Sequence, residues 1–304
     1  MLFVAALAGG WMVARPGRPP ASHRARPRAL HAARPVPPVV TAGPATAAPP
    51  AAAATAAEAA SAAPSASIRP GPAASGVTGA RLAIIIDDCG QWPDIERALV
   101  ALPVPLTMSI MPRAPYTEAI ERDAAGAGDG IMLHLPMESL GGSDPGDGKV
   151  TTEMDDATIQ AQVRDDLRRV PLARGVNNHE GSKATADARV MRDVAEVLAS
   201  EGRYFIDSRT TAATLAARET VSLGVPTASR NVFLDNVDTI AAVEAQLRTA
   251  GDLARHAGWA IAIGHPKAAT LAALRALIPS LEGQGVTFVL VQDLVGDVPS
   301  GPSS

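Results

Sequence analysis

From residue 81 onward, short apolar runs alternate with stretches that have helical periodicity. Most runs are apolar through their whole length, which is typical of parallel strands covered on both faces. The strands predicted in this way span residues 82–86, 106–110, 130–133, 175–177, 203–206, 232–234, 259–263 and 286–291.

Two amphipathic helices are clearest between these strands. One is predicted to begin after Asp238 as N-cap and to place Val243, Leu247 and Ala250 on one face. Another runs from about Asp187 to Gly202, a natural residue to follow a helix end. Seven or eight β/α repeats in residues 81–304 predict an α/β fold, a single distorted parallel (β/α)7–8 barrel.

The composition divides the chain into four parts. Residues 15–80 contain 13 Pro, 23 Ala and seven Arg against one acid, Glu58, so we expect a disordered Ala/Pro-rich linker. Subtracting its charge of +6 from the net −4 leaves −10 on residues 81–304, a balance that disfavours nucleic-acid binding. The barrel domain is expected over 81–297, and a disordered tail over 298–304.

Residues 1–14 form an uninterrupted apolar run that ends at Arg15. The run is shorter than the ~20 residues of a membrane-spanning helix, and two interpretations stay open, a cleaved signal segment or a membrane anchor. Both predict export to the periplasm or cell envelope, and we favour anchoring in the inner membrane. The single cysteine, Cys89, excludes an intramolecular disulfide.

Reactive side chains follow the apolar runs, where the active site of a parallel barrel forms. Three of the four histidines beyond residue 80 occupy such positions, and only His256 lies on a predicted helix. Each residue alone has a structural interpretation, as a cap, a loop former or a core histidine. Together they suit a divalent transition metal and predict metal-assisted acyl hydrolysis. The set comprises Asp87, Asp88, His134, His179, Asp207, Asp235 and His265.

The segments that carry these residues resemble the divergent polysaccharide deacetylase family, a branch related to metal-dependent deacetylases of bacterial cell-surface glycans. The resemblance implies a distorted (β/α) barrel, an exported or membrane-anchored location and a carbohydrate deacetylase activity. The matching segments, in order, are AIIIDDCG, LTMSIMPRAPY, GIMLHLPMES, DPGDG, GVNNHEGSKAT, FIDSRT, FLDN and AIAIGHPKAATL.

The resemblance also implies roles for individual residues. Asp87 corresponds to the catalytic base and Asp88 to a metal ligand, and His134 resembles the first histidine of the second deacetylase motif. The second histidine of that motif is replaced by Glu138, so either His179 or Glu138 completes the metal set. His265 resembles the histidine that acts as general acid. The implied cofactor is a divalent metal ion, with zinc as the leading candidate.

The leading functional hypothesis is a metal-dependent hydrolase that removes acetyl groups from a cell-envelope carbohydrate, with peptidoglycan as the most available substrate. The alternative is an inactive barrel that binds glycan or regulates cell-wall metabolism, which the missing motif histidine favours. A third interpretation is an amidohydrolase acting on a non-sugar amide. The sequence does not define the oligomeric state.

Overall fold

A computed structural model describes residues 79–295 of the 304-residue chain. The predicted N-terminal segment (1–14), nearly all of the predicted linker and the predicted tail lie outside these residues. Within 79–295, no helix has both the length and the apolar character needed to cross a bilayer. The strands are β1 (Ala80–Cys89), β2 (Thr107–Ile110), β3 (Gly130–Met137), β4 (Gly175–Glu180), β5 (Tyr204–Asp207), β6 (Thr227–Ser229), β7 (Val232–Phe233), β8 (Trp259–Gly264) and β9 (Val286–Phe288).

Helices connect these strands and cover the sheet. They are α1 (Pro93–Val100), α2 (Thr117–Ala127), α3 (Asp156–Arg169), α4 (Ala188–Glu201), α5 (Ala216–Ser222), α6 (Ile240–Ala257), α7 (Ala268–Gly283) and α8 (Val291–Val295), with a 3-10 turn at Ala184–Ala186.

The sheet is parallel and curls into an incomplete barrel. Its strand order is β6-β5-β4-β3-β2-β1-β8-β7, and β9 pairs with the first residues of β1. The two end strands, β6 and β7, are joined by only Arg230 and Asn231, and no ladder within residues 79–295 pairs them. This seam makes the barrel distorted, and the predicted fold class is confirmed.

The alternation of side chains along each strand decides which residues face the barrel interior. In β1, Ile84 and Ile86 belong to the core beneath the outer helices, whereas Ala83 and Ile85 belong to a second core inside the barrel. Because strand side chains alternate with period two, Asp87 follows Ile85 into the interior. Helix α8 contributes Val291 and Leu294 to the inner core.

The helix caps agree with the predictions to within one residue. Asp187 caps α4, since its Oδ1 accepts hydrogen bonds from the backbone N–H groups of Arg189 and Val190 at 2.9 and 3.1 Å. The predicted cap of α6 was wrong: Thr239, and not Asp238, is the N-cap. The Thr239 hydroxyl oxygen accepts from the N–H of Ala242 at 3.3 Å.

Several strand boundaries differ from the predictions. Strand β1 begins at Ala80, one residue inside the predicted linker, and β6 was not predicted. The predicted strand 286–291 was wrong at its end, because the ladder stops at Phe288 and Val291 begins α8. A continuous apolar run does not by itself separate a strand from the helix that follows it.

Candidate metal centre

Three strands bring a carboxylate and two imidazoles together at the barrel mouth. The Nε2 atom of His134 and the Nδ1 atom of His179 lie 3.1 and 2.9 Å from Oδ1 of Asp88. The two imidazole nitrogens lie 3.1 Å from each other. Asp88 and His179 lie near the ends of β1 and β4, whereas His134 lies within β3, where the ladder pairs it with Asn177.

The donor atoms of this group fit a divalent cation. Asn177 Oδ1 is 2.9 Å from His134 Nδ1, so the neutral imidazole donates there and leaves a lone pair on Nε2. The buried Asp88 Oδ1 has no ring N–H aligned with it as a hydrogen bond. Metal bonds of about 2.0 to 2.2 Å place neighbouring ligand atoms about 3 Å apart, as these three atoms are. The three residues could therefore hold a metal ion.

The charges of this group are strongly interdependent. Burial opposes ionisation of Asp88, but the adjacent His134 and His179 outweigh it and hold the pKa of this carboxyl well below its ordinary value. Burial likewise opposes protonation of His134, but Asp87 and Asp88 raise its pKa to about 9. The site thus attracts positive charge, which a bound cation would supply in place of a proton.

Asp87 lies beside this group without belonging to it. Its carboxyl is buried, and its Oδ2 is 3.7 Å from His134 Nε2. Asn177 donates a hydrogen bond from Nδ2 to Asp87 Oδ1 at 2.8 Å. Burial raises the pKa of Asp87 above its ordinary value, although His134, His265 and Asn177 lower it in part. Asp87 is thus a buried carboxyl with a raised pKa, oriented by Asn177 next to the candidate metal position.

His265 faces the centre from β8 and is held by Asp235. Its Nδ1 lies 2.9 Å from Asp235 Oδ1, and its backbone N–H donates to Asp235 Oδ2 at 2.8 Å. Thr270 donates to the same carboxylate at 3.0 Å. The free Nε2 lies 3.8 Å from Asp88 Oδ2. Burial opposes protonation of His265, but Asp235 and Asp87 outweigh it and raise its pKa.

A cavity of about 270 Å³ opens next to the centre. Its rim includes Trp92, an exposed side chain on the loop between β1 and α1. This loop is held by the buried carboxylate of Glu96, which accepts hydrogen bonds from the backbone N–H groups of Gly90, Gln91 and Trp92 at 2.8 to 3.0 Å. The cavity is lined by Asp88, Trp92, Ile95, His265, Pro266 and Lys267.

Glu138, the alternative third ligand, lies outside the group. Its Oε1 accepts from Lys183 Nζ at 2.7 Å, and its Oε2 accepts from the backbone and hydroxyl of Thr152, both at 2.8 Å. Both carboxylate oxygens are therefore occupied by protein donors. Of the two alternatives, the structure brings His179 to Asp88 and His134.

Two other acidic residues near the barrel mouth, the predicted Asp207 and Glu180 beside His179, have local roles. Asp207 accepts from the backbone N–H of Arg209 at 2.8 Å and from Thr214 Oγ1 at 3.1 Å. Glu180 accepts from Ser143 Oγ at 2.7 Å. Neither carboxylate belongs to the Asp-His-His group.

Asn177 is the residue that sequence reasoning missed. Its fully buried amide joins Asp87 to His134, and its Oδ1 also accepts from Ser109 Oγ at 2.5 Å. The available signal was a polar residue inside a predicted strand, two positions before His179 and therefore on the same face. The spacing of two residues places Asn177, and not Asn178, on the face of His179. Asn178 instead accepts a hydrogen bond from the backbone N–H of Ser208.

The fold and the residue group together define a class of protein: a distorted parallel barrel with a candidate Asp-His-His metal centre at the carboxyl ends of its strands. The sequence profile described as divergent polysaccharide deacetylase matches residues 84–295. The chain therefore belongs to the divergent polysaccharide deacetylase family, as the resemblance predicted.

Relatives and a solved structure are similar to most of this domain. The uncharacterized protein YibQ of Escherichia coli K12 is 34% identical over 224 residues, which are 74% of this chain and 70% of YibQ. An uncharacterized Haemophilus influenzae protein is 36% identical over 202 residues, 66% of this chain and 72% of its own. A crystal structure of an uncharacterized Agrobacterium tumefaciens C58 protein has a TM-score of 0.69 at 23% identity, covering 72% of this chain and 91% of that one, and shows a shared fold.

Proposed function

We propose that this protein is a metal-dependent hydrolase that removes acetyl groups from a carbohydrate of the cell envelope. The observation that carries the proposal is the convergence of Asp88 Oδ1, His134 Nε2 and His179 Nδ1, with separations of 2.9 to 3.1 Å. Asp87 and His265 flank this group on either side. Membership of the divergent polysaccharide deacetylase family supports an acetylated carbohydrate as substrate.

Asp88, His134 and His179 would hold the ion, with zinc as the leading candidate. When bound, a divalent ion of this kind polarises an acyl carbonyl and increases the acidity of water. Asp87 accepts the proton of the attacking water, because its carboxylate is buried and oriented by Asn177.

His265 donates a proton to the leaving nitrogen or oxygen from Nε2. Asp235 binds Nδ1 and so keeps the opposite nitrogen directed at the centre. The cavity beside His265 and Trp92 can accept the substrate next to His265 and the candidate metal ligand Asp88. The domain has few aromatic residues for stacking on sugar rings, which favours a short acylated substrate over a long polymer chain.

We further propose that the domain acts outside the cytoplasm, with the apolar residues 1–14 as its membrane anchor and peptidoglycan as the most accessible acetylated glycan. The support for this is the composition of the N-terminal 80 residues and the acidic domain that follows. Detection of the full-length protein in the membrane fraction, accessible to protease from the periplasmic side, tests the location.

Acetate release from acetylated amino-sugar oligomers by the full-length, zinc-loaded protein tests the activity. Asp87→Asn and His265→Ala should each lower turnover about 10²- to 10⁴-fold while zinc stays bound, because neither side chain belongs to the ligand group. His256→Ala is the matched control, since His256 lies exposed in the last turn of α6. Its turnover should equal that of the wild type.

Two outcomes would contradict the proposal. If both variants release acetate at the wild-type rate, the assigned roles are wrong. If the zinc-loaded wild type binds glycan but releases no acetate from any acetylated sugar, the protein is a binding module.

A further inference from the structure

Two arginines without acidic partners lie at the seam of the barrel. Arg230 joins β6 to β7, and Arg209 follows β5, the neighbour of β6 in the sheet. Within residues 79–295, neither guanidinium forms an ion pair with a carboxylate within 4.0 Å, although the charges of both arginines act on Asp207. The two carboxylate oxygens of Asp207 instead accept hydrogen bonds from the backbone N–H of Arg209 and from the hydroxyl of Thr214.

The guanidinium of Arg230 is oriented by the protein yet keeps free donors. Its Nε donates to the carbonyl of Ser208 at 2.9 Å, and its Nη2 donates to the carbonyl of Arg209 at 3.4 Å. Its Cζ lies 5.0 Å from the centre of the Phe233 ring. A guanidinium has five N–H donors, so three remain without a partner in the described part of the chain. A guanidinium held in one orientation with free N–H groups can bind a carboxylate or phosphate through two parallel hydrogen bonds.

The backbone of Arg209 has a conformation that residues other than glycine rarely adopt. Its φ is +51°, in the left-handed region, and the Asp207 carboxylate fixes this turn through the Arg209 N–H. Residues held in this region cluster at functional sites, and Asp88 of the candidate metal centre, with φ +58°, is a second example here. The turn directs the Arg209 carbonyl to Arg230 while its own side chain stays exposed.

The two cations are close enough to affect each other. Burial lowers the pKa of Arg230, the charges of Asp87 and Asp207 raise it, and the charge of Arg209 lowers it. Because neither guanidinium forms an ion pair within the described residues, an anion bound to both would offset their mutual repulsion.

Arg230 also lies near the proposed reacting groups. The Phe233 ring that Arg230 covers is 5.4 Å from the His265 ring, centre to centre. Ser208, whose carbonyl holds Arg230, receives a hydrogen bond on Oγ from Asn177, which also holds Asp87. These contacts connect Arg230 to both proposed proton-transfer residues, His265 and Asp87.

We propose that Arg209 and Arg230 bind an oxyanion of the substrate, so that the preferred substrate is an acylated sugar with a carboxylate or phosphate near its acyl group. This inference rests on the proposed function, which supplies the acylated sugar as the substrate. It does not require turnover, because anion binding by the two arginines is independent of the hydrolytic step.

Calorimetric titration of the full-length protein with sugars tests this inference. The protein is used without metal, so that the anion cannot gain affinity by binding to a metal ion. The probes are neutral N-acetylglucosamine, N-acetylmuramic acid, which carries a carboxylate, and N-acetylglucosamine 6-phosphate. At least one anionic sugar should bind about tenfold or more tightly than the neutral one. The tighter of the two identifies the anion as carboxylate or phosphate.

Arg209→Gln should remove most of this preference without changing the affinity for N-acetylglucosamine, because the Arg209 side chain is exposed and its hydrogen bonds within the described residues use backbone atoms. Arg230→Lys keeps the charge but not the fork and should weaken the preference in part. The matched control is Arg248→Gln on α6, whose partner is Glu244, and it should preserve the preference fully.

Equal binding of neutral and anionic sugars, no binding of either anionic sugar at millimolar concentration, or an unchanged preference in Arg209→Gln would overturn the inference. Loss of acetate release with the preference intact would instead reject only the proposed hydrolase activity. The two proposals can therefore fail separately.

Discussion

The identity of the third metal ligand can be tested by replacing His179 and Glu138 in parallel. His179→Ala removes one of the three atoms that converge within 3.1 Å. Glu138→Gln alters the residue at the motif position where a histidine is missing, but it leaves the three converging atoms in place. Zinc binding should depend on the first residue and not on the second.

The expected magnitude follows from the number of ligands removed. Loss of a group that only orients a ligand typically costs 10- to 100-fold in metal affinity, so loss of a direct ligand should cost at least about 100-fold. At free zinc about 1,000 times the wild-type Kd, binding stabilises the folded protein by about 4.1 kcal/mol, and a 100-fold weaker variant gains only about 1.4 kcal/mol. For a domain of this size the difference is about 5 to 10 °C in Tm.

The assay is thermal unfolding with and without zinc, together with competition against a fluorescent chelator. Glu138→Gln loses its ion pair with the half-exposed Lys183, which lowers the Tm slightly and equally in both conditions. Its zinc-dependent rise in Tm should match that of the wild type. A variant pair with the opposite result, full zinc stabilisation in His179→Ala and none in Glu138→Gln, would refute the ligand assignment.

Two further predictions concern residues around the centre and far from it. Asn177→Ala should weaken zinc binding about 10- to 100-fold in chelator competition, because His134 loses the acceptor that directs its lone pair; an unchanged Kd would contradict this. Burial raises the pKa of Asp129 from 3.8 to about 6, so the stabilisation it contributes is present below pH 4 and lost as the pH rises through 6. Asp129→Asn, which keeps an acceptor for the Leu106 N–H, should therefore be more stable than the wild type at pH 7 by on the order of 1 kcal/mol. The difference should shrink towards pH 4 in thermal melts, and a gap that stays constant with pH would show that the Asp129 charge is not its cause.

The amino-acid sequence determined the fold class through local properties. Runs such as 82–86 and 259–263 are apolar on both faces, which parallel strands under helices require. Polar residues at the ends of these runs located the site, because parallel strands bring their carboxyl ends to one rim. The short strand Thr227–Ser229 escaped prediction since it has three residues and only one is apolar.

The tertiary structure decided which of those rim residues meet. His179 and Glu138 were equivalent candidates in the sequence. The structure separates them, because it brings His179 to Asp88 and His134, whereas Lys183 and Thr152 occupy the Glu138 carboxylate. Distances between side chains on different strands depend on ladder register, such as the pairing of His134 with Asn177, which has no local signal.

The same reason applies to Asn177 and to the arginine pair. Asn177 forms hydrogen bonds with residues of β1, β2 and β3 and with Ser208 in the loop between β5 and β6. These partners lie 31 to 90 positions away in the chain. Arg209 and Arg230 come together because they follow β5 and β6, which are paired neighbours in the sheet. Residue type and periodicity predicted where reactive groups lie along each strand, whereas strand order and register determined which of them share a site.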